Sequence, residues 1–341
     1  MQAIVLPRFG GADLLRCDDV SEPVPAADQM LVRVACCGVC GHDLLTRNGA
    51  FPHTALPCVM GHEISGTVVA VGSLLGGFGI GDRVALNQRM SCGACESCRA
   101  GGDDLCRDGP GFYGEGQSGG YGAFVLASAR NAVLLPDGIS FEIGAVLSCA
   151  IGTGFHALGR ARLEIGDTVV ITAASGGVGI HAVKLARLMG MRVIAVSSSP
   201  GKTERLRAAG ADAVLIPGED GFHRQLKALV PSGADAVIEI AGAVTFGSSL
   251  RCLKPGGRLV LVGNVEPDGV KFNPGLAILR ELEIIGSCHA TVADLKKVVD
   301  LVDRGLIEPE IGVVLPVAEA ARAHRMMEAR EVTGRVVLRH P

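Results

Sequence analysis

The chain has 341 residues, a formal net charge of -3, no tryptophan and only two tyrosines, but 48 glycines. That length exceeds the usual single domain, so two cores, or one with a large elaboration, are expected. The near-neutral balance carries no basic patch of the kind that binds nucleic acid. The opening "MQAIVLPRFG" has no basic segment leading into an apolar one, and the uncharged stretches near 143–159 and 168–183 are broken by Gly, Ser, Thr and His. Neither a signal peptide nor a membrane span is expected, and the cytoplasm is the default compartment. Twelve cysteines in a long chain without a secretion signal favour reduced thiols and metal binding over disulfides.

In chain order, β-rich runs at 30–40 and 64–72, then "GDRVAL" and "GAFVLAS", carry glycine punctuation and few helix-length patterns. This makes the first part of the chain a β-rich domain. From about 152 the rhythm changes. "DTVVIT", "RVIAVS", "DAVLI", "DAVIEI" and "GRLVLVG" are short apolar runs, several separated by helical patterns at 178–189, 202–209 and 222–229. Such alternation predicts a parallel sheet. Further helical patterns at 292–304 and 317–330 precede a final run, "GRVVLR", whose pattern alone assigns it to neither domain.

Cys92, Cys95, Cys98 and Cys106 form C-x2-C-x2-C-x7-C, a spacing that lets one loop wrap four thiolates round a tetrahedral ion. Zinc suits these ligands best; an iron–sulfur cluster or unliganded thiols are the other readings. Four sulfurs fill the shell, so the site is structural, ordering a Gly-rich lobe that has little apolar surface to bury. Upstream, "CGVCGHDLL" holds Cys37, Cys40, His42 and Asp43, and "VMGHEISG" holds His62 and Glu63. Cys40 and His62 with one further soft ligand would make a zinc site with an open position, able to polarise an oxygen. On spacing alone, each of these residues is as readily structural.

"DTVVITAASGGVGIHAVKLARLMG" reads as strand, Gly-rich turn and amphipathic helix. Ala173, Gly176 and Gly179, with Gly177 and Val178 between them, let backbone N–H groups approach a pyrophosphate. The next strand ends at Ser197, where a carboxylate would bind the ribose 2′-hydroxyl of NAD. Instead Ser197, Ser198 and Ser199 are followed by Lys202 and Arg205, a set that favours the 2′-phosphate of NADP, with NAD still possible; an exposed helix face explains the two cations equally simply.

The order "GVCGHD", "GHE", the four-cysteine loop, "SCAIGTGFHAL" and the Gly-rich turn resembles the zinc-dependent alcohol dehydrogenase branch of the medium-chain dehydrogenase/reductase superfamily over essentially the whole chain. The resemblance implies an α/β protein with a GroES-like β-rich catalytic domain, 1–151 plus 286–341, with its zinc lobe at 92–106. A Rossmann doubly wound parallel-sheet domain, 152–285, would be inserted between. It implies catalytic zinc ligands at Cys40, His62 and Cys149, with Glu63 beside the metal and able to exchange with water. Thr153 and Val178 fall near the nicotinamide, and Arg335 matches a tail arginine that reaches the pyrophosphate, unless it is an ordinary surface residue. A homodimer or homotetramer is also implied. His42 departs from the family, which usually has Ser or Thr two residues after the first zinc cysteine to begin a proton relay. Imidazole can carry that proton or merely shape the pocket.

The expected activity is reversible hydride transfer between a primary or secondary alcohol and NADP(H), with catalytic and structural Zn2+. The alternatives are an NADPH-dependent enoyl or enone reductase, which the Ala173 fingerprint also fits, and, more remotely, a non-catalytic zinc- and NADPH-binding protein. Asp43 is expected to serve the turn after Cys40. His53, His156, Cys37 and Cys58 are expected to pack, and Cys17, Cys36, Cys252 and Cys288 carry no spacing signal.

Overall fold

A computed structural model describes residues 1–263 and 269–341. The chain divides into two compact units, Met1–Gly152 with His289–Pro341, and Thr153–Cys288.

The first unit is built on a seven-stranded sheet. Its central strand, Gln29–Val39, pairs antiparallel with Glu63–Val71, Phe124–Ser128 and Arg335–Arg339. The C-terminal strand therefore lies beside the strand that leads to Cys40, and Ile311–Pro316 adds parallel outside it. Side chains such as Met30, Val32, Val34, Ile64, Val68, Val336 and Leu338 form a continuous apolar core. Strand crossing is close: a Cβ on Gly66 would stand 2.1 Å from the Arg33 carbonyl oxygen.

The second unit is a six-stranded parallel sheet. Its strands are Thr168–Ile171, Arg192–Val196, Ala213–Leu215, Ala234–Glu239, Leu253–Leu261 and Glu283–Gly286. Numbered in that chain order, they lie in the sheet as 3-2-1-4-5-6, the doubly wound dinucleotide-binding order. Strands covered on both faces need no polar alternation, and Thr168–Ile171 is buried throughout. Gly286, expected to begin the returning tail, pairs instead with Leu261 as the last residue of the sixth strand. The buried Glu239 carboxylate holds the turn beyond the fourth strand. Its Oε1 accepts hydrogen bonds from Thr172 Oγ1 (2.7 Å), Gly242 N (2.9 Å) and Thr245 Oγ1 (2.7 Å), and its Oε2 one from Ser249.

The helical run Phe141–Ala161 is long and apolar enough to cross a membrane by length and composition, but 72% of that window is buried within the protein. It is a core helix here.

In the first unit, the helix Ala320–Glu328 docks through His324, which has no exposed surface. Tyr121 Oη lies 2.9 Å from His324 Nε2, and Arg47 Nη1 lies 3.4 Å from His324 Nδ1. A neutral ring with its proton on Nε2 satisfies both contacts, since Nδ1 must accept from a guanidinium. Burial, reinforced by Arg47, pushes His324 down to about 4. The unfolded chain protonates this ring first, near pH 6.5, so its contribution to stability is complete above that value and is lost as pH falls towards 4. The difference corresponds to about 3 kcal/mol. Replacing His324 by Gln is expected to flatten the fall in stability between pH 6.5 and 4, measured by urea unfolding across that window; an unchanged slope would assign the acid sensitivity elsewhere.

Candidate active site

Cys40 follows directly on the central strand and occupies the N-cap of the helix Gly41–Arg47. Its backbone N–H donates to Asp43 Oδ2 at 2.7 Å. Asp43 Oδ1 lies 3.3 Å from His62 Nδ1, so one carboxylate fixes the cysteine backbone and the imidazole together. Gly61 precedes His62 with φ +94°, and a Cβ there would meet the Tyr121 ring at 2.5 Å, so glycine is what lets the chain turn into the site. Glu63 stands opposite Gly38 in the ladder, where a Cβ would lie 2.1 Å from Glu63 Oε2. Cys149 comes from a π-helical turn, Leu147–Ile151, that interrupts the core helix.

These elements bring Cys40, His62, Glu63 and Cys149 together, with one ligand atom of each within 4.8 Å of the others. The two sulfurs are 3.7 Å apart. Cys40 is 9% exposed, Cys149 5%, His62 2% and Glu63 0%. Neither Glu63 oxygen has a hydrogen-bond partner among the described residues, although Arg335 Nη2 lies 3.0 Å from Oε1.

The electrostatics are those of a cation site. The contact with Cys149 holds the Cys40 thiol well below its usual range, while the same contact and burial push Cys149 well above it. Burial raises Glu63 to about 7 against the pull of Arg335. Burial opposes protonation of His62, but Asp43 and Cys40 outweigh it and raise it well. Two thiols and a carboxylate packed this closely out of water cannot all ionise unless a cation joins them. The donor set, two sulfurs, an imidazole and an exchangeable carboxylate, fits zinc with a position left for another oxygen.

Arg335, expected near a cofactor pyrophosphate, is 2% exposed and committed to this cluster. Besides Glu63, its Nη1 donates to Val39 O (3.3 Å) and its Nη2 lies 3.8 Å from Cys149 Sγ.

His42 stands on the same short helix. Its ring stacks on Phe51 with centroids 4.6 Å apart and meets the His62 ring edge-on at 5.4 Å. Its Nε2 is engaged by Glu115 Oε1, which also accepts from Thr46 Oγ1 at 3.1 Å. Burial alone would raise Glu115, yet His42 keeps it below the ordinary carboxylate value. Glu115 escaped the sequence reading: it is one acidic residue in a Gly-rich loop, 73 positions from its partner.

Cys92, Cys95, Cys98 and Cys106 form a second group within 4.8 Å. Cys92 and Cys98 sulfurs are 3.9 Å apart, and those of Cys95 and Cys106 4.0 Å. The backbone N–H groups of Ala94 and Cys95 point at Cys92 Sγ and lower it to about 6, the thiolate form a metal needs. No disulfide joins any of the twelve cysteines.

In the parallel-sheet unit the Gly-rich turn leads into the helix Gly177–Leu188, with Gly176 as its N-cap. Ala173 adopts φ +47° where a glycine would be unstrained, and a Cβ on Gly179 would lie 2.3 Å from Ala173 O, so helix and turn touch through that glycine. Val178 is half-buried in the first turn of the helix, and Thr153 is buried where the core helix enters this unit. Ser197 ends the second strand region, its Oγ 3.3 Å from Ser175 Oγ and accepting from Ser199 N at 3.2 Å. Ser198 is exposed and Lys202 half-buried. Burial, with Arg205 nearby, lowers the Lys202 ammonium.

The alcohol dehydrogenase GroES-like domain model matches residues 26–137, and the zinc-binding dehydrogenase model matches 177–304. An NAD-dependent alcohol dehydrogenase of Sulfolobus acidocaldarius is 32% identical over 348 aligned residues, covering 99% of both chains. The protein belongs to the zinc-dependent alcohol dehydrogenase family of medium-chain dehydrogenase/reductases. It is an oxidoreductase. An acryloyl-coenzyme A reductase of Metallosphaera sedula is equally similar to this dehydrogenase, 33% identical over 94% of this chain and 95% of its own. Among solved structures, that of AibC superposes with a TM-score of 0.93 at 42% identity, covering 100% of this chain and 96% of the other.

The two clusters of this dehydrogenase are separable by metal analysis. Cys98→Ser is expected to lose one metal equivalent and lower the melting temperature by several degrees, because the lobe lacks another core. Cys149→Ser is expected to lose the other equivalent and leave the lobe metal in place. Loss of both metals in either variant would show that the clusters are not independent.

Proposed function

We propose that this dehydrogenase transfers a hydride reversibly between a primary or secondary alcohol and NADP(H). The observation that carries this reading is the buried Cys40–His62–Glu63–Cys149 cluster, whose ligand atoms lie within 4.8 Å of one another. When bound, zinc supplies Lewis acidity to the substrate oxygen and the nicotinamide accepts or returns the hydride. Cys40, His62 and Cys149 hold the metal, and Asp43 fixes the first two. Glu63, paired with Arg335, would stand beside the bound ion, its charge already answered by the guanidinium. His42 replaces the usual hydroxyl relay and exchanges the substrate proton, with Glu115 Oε1 fixing the ring through Nε2.

A carboxylate is missing at Ser197; the paired hydroxyls of Ser175 and Ser197, with Lys202 and Arg205 following within a few residues of Ser197 in the chain, support NADP over NAD. A second reading, reduction of a 2-enoyl thioester, is favoured by the acryloyl-coenzyme A reductase relative. There hydride goes to the β-carbon, and His42 supplies the proton for the α-carbon.

Product identification separates the two readings. NADPH oxidation with aldehydes and ketones should give alcohols and stop on chelation of the metal; saturated thioesters from enoyl thioesters, formed after loss of the Cys149 metal, would establish the second. Glu115→Gln is expected to lower kcat by about ten- to a hundred-fold with little change in KM, since the group orients the proton carrier. An unchanged kcat would remove His42 from the proton path. Lys202→Ala should raise the KM for NADPH by about tenfold and leave NADH unaffected; equal effects on both cofactors would refute the 2′-phosphate role.

A further inference from the structure

Arg89 is a half-buried basic residue of the first unit with no carboxylate partner among the described residues. It sits in a two-residue strand, Arg89–Met90, paired with Gly111–Phe112 so that Arg89 and Phe112 are direct partners. Its guanidinium lies 5.4 Å over the Phe112 ring. That ring stacks near His42, with centroids 5.8 Å apart, and meets His289 edge-on at 5.0 Å. Phe112 thus connects Arg89 to His42, whose ring touches the metal ligand His62.

Other sheltered arginines of this unit are spoken for. Arg47 pairs with Glu328, Arg335 with Glu63, and Arg83 donates to the carbonyls of Pro136 and Ile139. Arg89 is half-buried, its Nε is buried without a hydrogen-bond partner, and it pairs with no carboxylate among the described residues. Stacking on Phe112 engages the face of the guanidinium but none of its in-plane N–H donors. The carboxylates of the candidate site are already paired: Glu115 with His42, Asp43 with His62, Glu63 with Arg335. A half-buried planar cation held by its face, with no carboxylate partner among the described residues, is suited to pair with an anion through its edge.

We propose that Arg89 is a specificity-determining residue that binds an anionic group of the substrate, a carboxylate or a phosphate, on the platform of Phe112. This rests on the hydride-transfer reading and narrows its substrates to carbonyl or enoyl compounds that carry a negative charge.

The test uses the zinc-loaded full chain with NADPH and two matched pairs of substrates. One is 4-oxobutanoate against butanal, which differ in a carboxylate; the other is crotonyl-coenzyme A against crotonyl-pantetheine, which lacks the phosphates and the adenosine. Arg89→Met keeps the stem on Phe112, and its melting temperature checks the fold. It is expected to raise KM for an anionic member by about tenfold or more while the neutral partner stays within about twofold, and Arg89→Lys should fall between. Loss confined to 4-oxobutanoate assigns a carboxylate; loss confined to the coenzyme A ester assigns phosphate. Equal effects on charged and neutral members, or a wild type that turns over only the neutral ones, would overturn the proposal. Should the wild type turn over none of the four, hydride transfer to these classes fails, and Arg89 is judged separately by calorimetry. Binding of 4-oxobutanoate or crotonyl-coenzyme A that weakens about tenfold in Arg89→Met sustains it; equal binding, or none, refutes it.

Discussion

The candidate active site answers to one electrostatic constraint: Cys40, Cys149, Glu63 and Asp43 are buried close to one another, with His62 and Arg335 as the counter-charges recorded beside them among the described residues. Burying acidic groups together is unfavourable unless cations and hydrogen bonds offset the lost hydration. Asp43 is satisfied by the Cys40 backbone and His62, and Glu63 faces Arg335, whose guanidinium also reaches the Cys149 sulfur, yet two thiols and a carboxylate still outnumber the cations beside them. A divalent cation resolves that imbalance. The same imbalance explains why the thiol of Cys149 is raised while that of Cys40 is lowered when only protons are available to share.

The fold supplies this concentration through ladder register. Because Gln29–Val39 pairs with Glu63–Val71, Gly38 comes opposite Glu63 and leaves room for its carboxylate; because it also pairs with Arg335–Arg339, the arginine arrives on the other side. A one-residue slip in either pairing would turn Glu63 or Arg335 to the opposite face of the sheet. The C-terminal strand thus contributes to the candidate site although it lies far along the chain from Cys40. The π-helical turn performs the corresponding task for Cys149, whose side chain leaves a helix otherwise devoted to packing.

Much of this was legible in the sequence because it is encoded locally. The four-cysteine loop, the "CGHD" and "GHE" runs and the strand–turn–helix around Ala173–Gly179 are each compact in the chain, and the change from β-rich to alternating pattern marks where the second sheet starts; Cys149, 109 positions from Cys40, enters through the family resemblance. Groups joined by distant pairings left no such trace. Glu115 meets His42 through a Gly-rich loop with no periodicity, and Arg89 meets Phe112 through a ladder of two residues, too short to show alternation. Arg335 was visible as a tail arginine, but its partner Glu63 depends on two strand registers. The four-residue strand Glu283–Gly286, exposed at most positions, is too short to mark in the sequence where the second unit ends.

The wall beyond the metal ligands follows a different rule from the cluster itself. Within the cluster, Cys40, Cys149, Glu63 and Asp43 meet His62 and Arg335, a donor set suited to a divalent cation. Along the wall, His42 and Glu115 answer each other, aromatic rings of Phe51 and Phe112 hold the imidazole from turning, and Arg89 remains with donors to give. Rings fix orientation at little entropic cost and exclude water, which strengthens any ion pair made against them. A metal that grips an oxygen at one end and a guanidinium that grips an anion at another would restrict a small substrate to one orientation. The order of the carbonyl relative to the hydride path would then follow from charge placement and not from pocket shape alone.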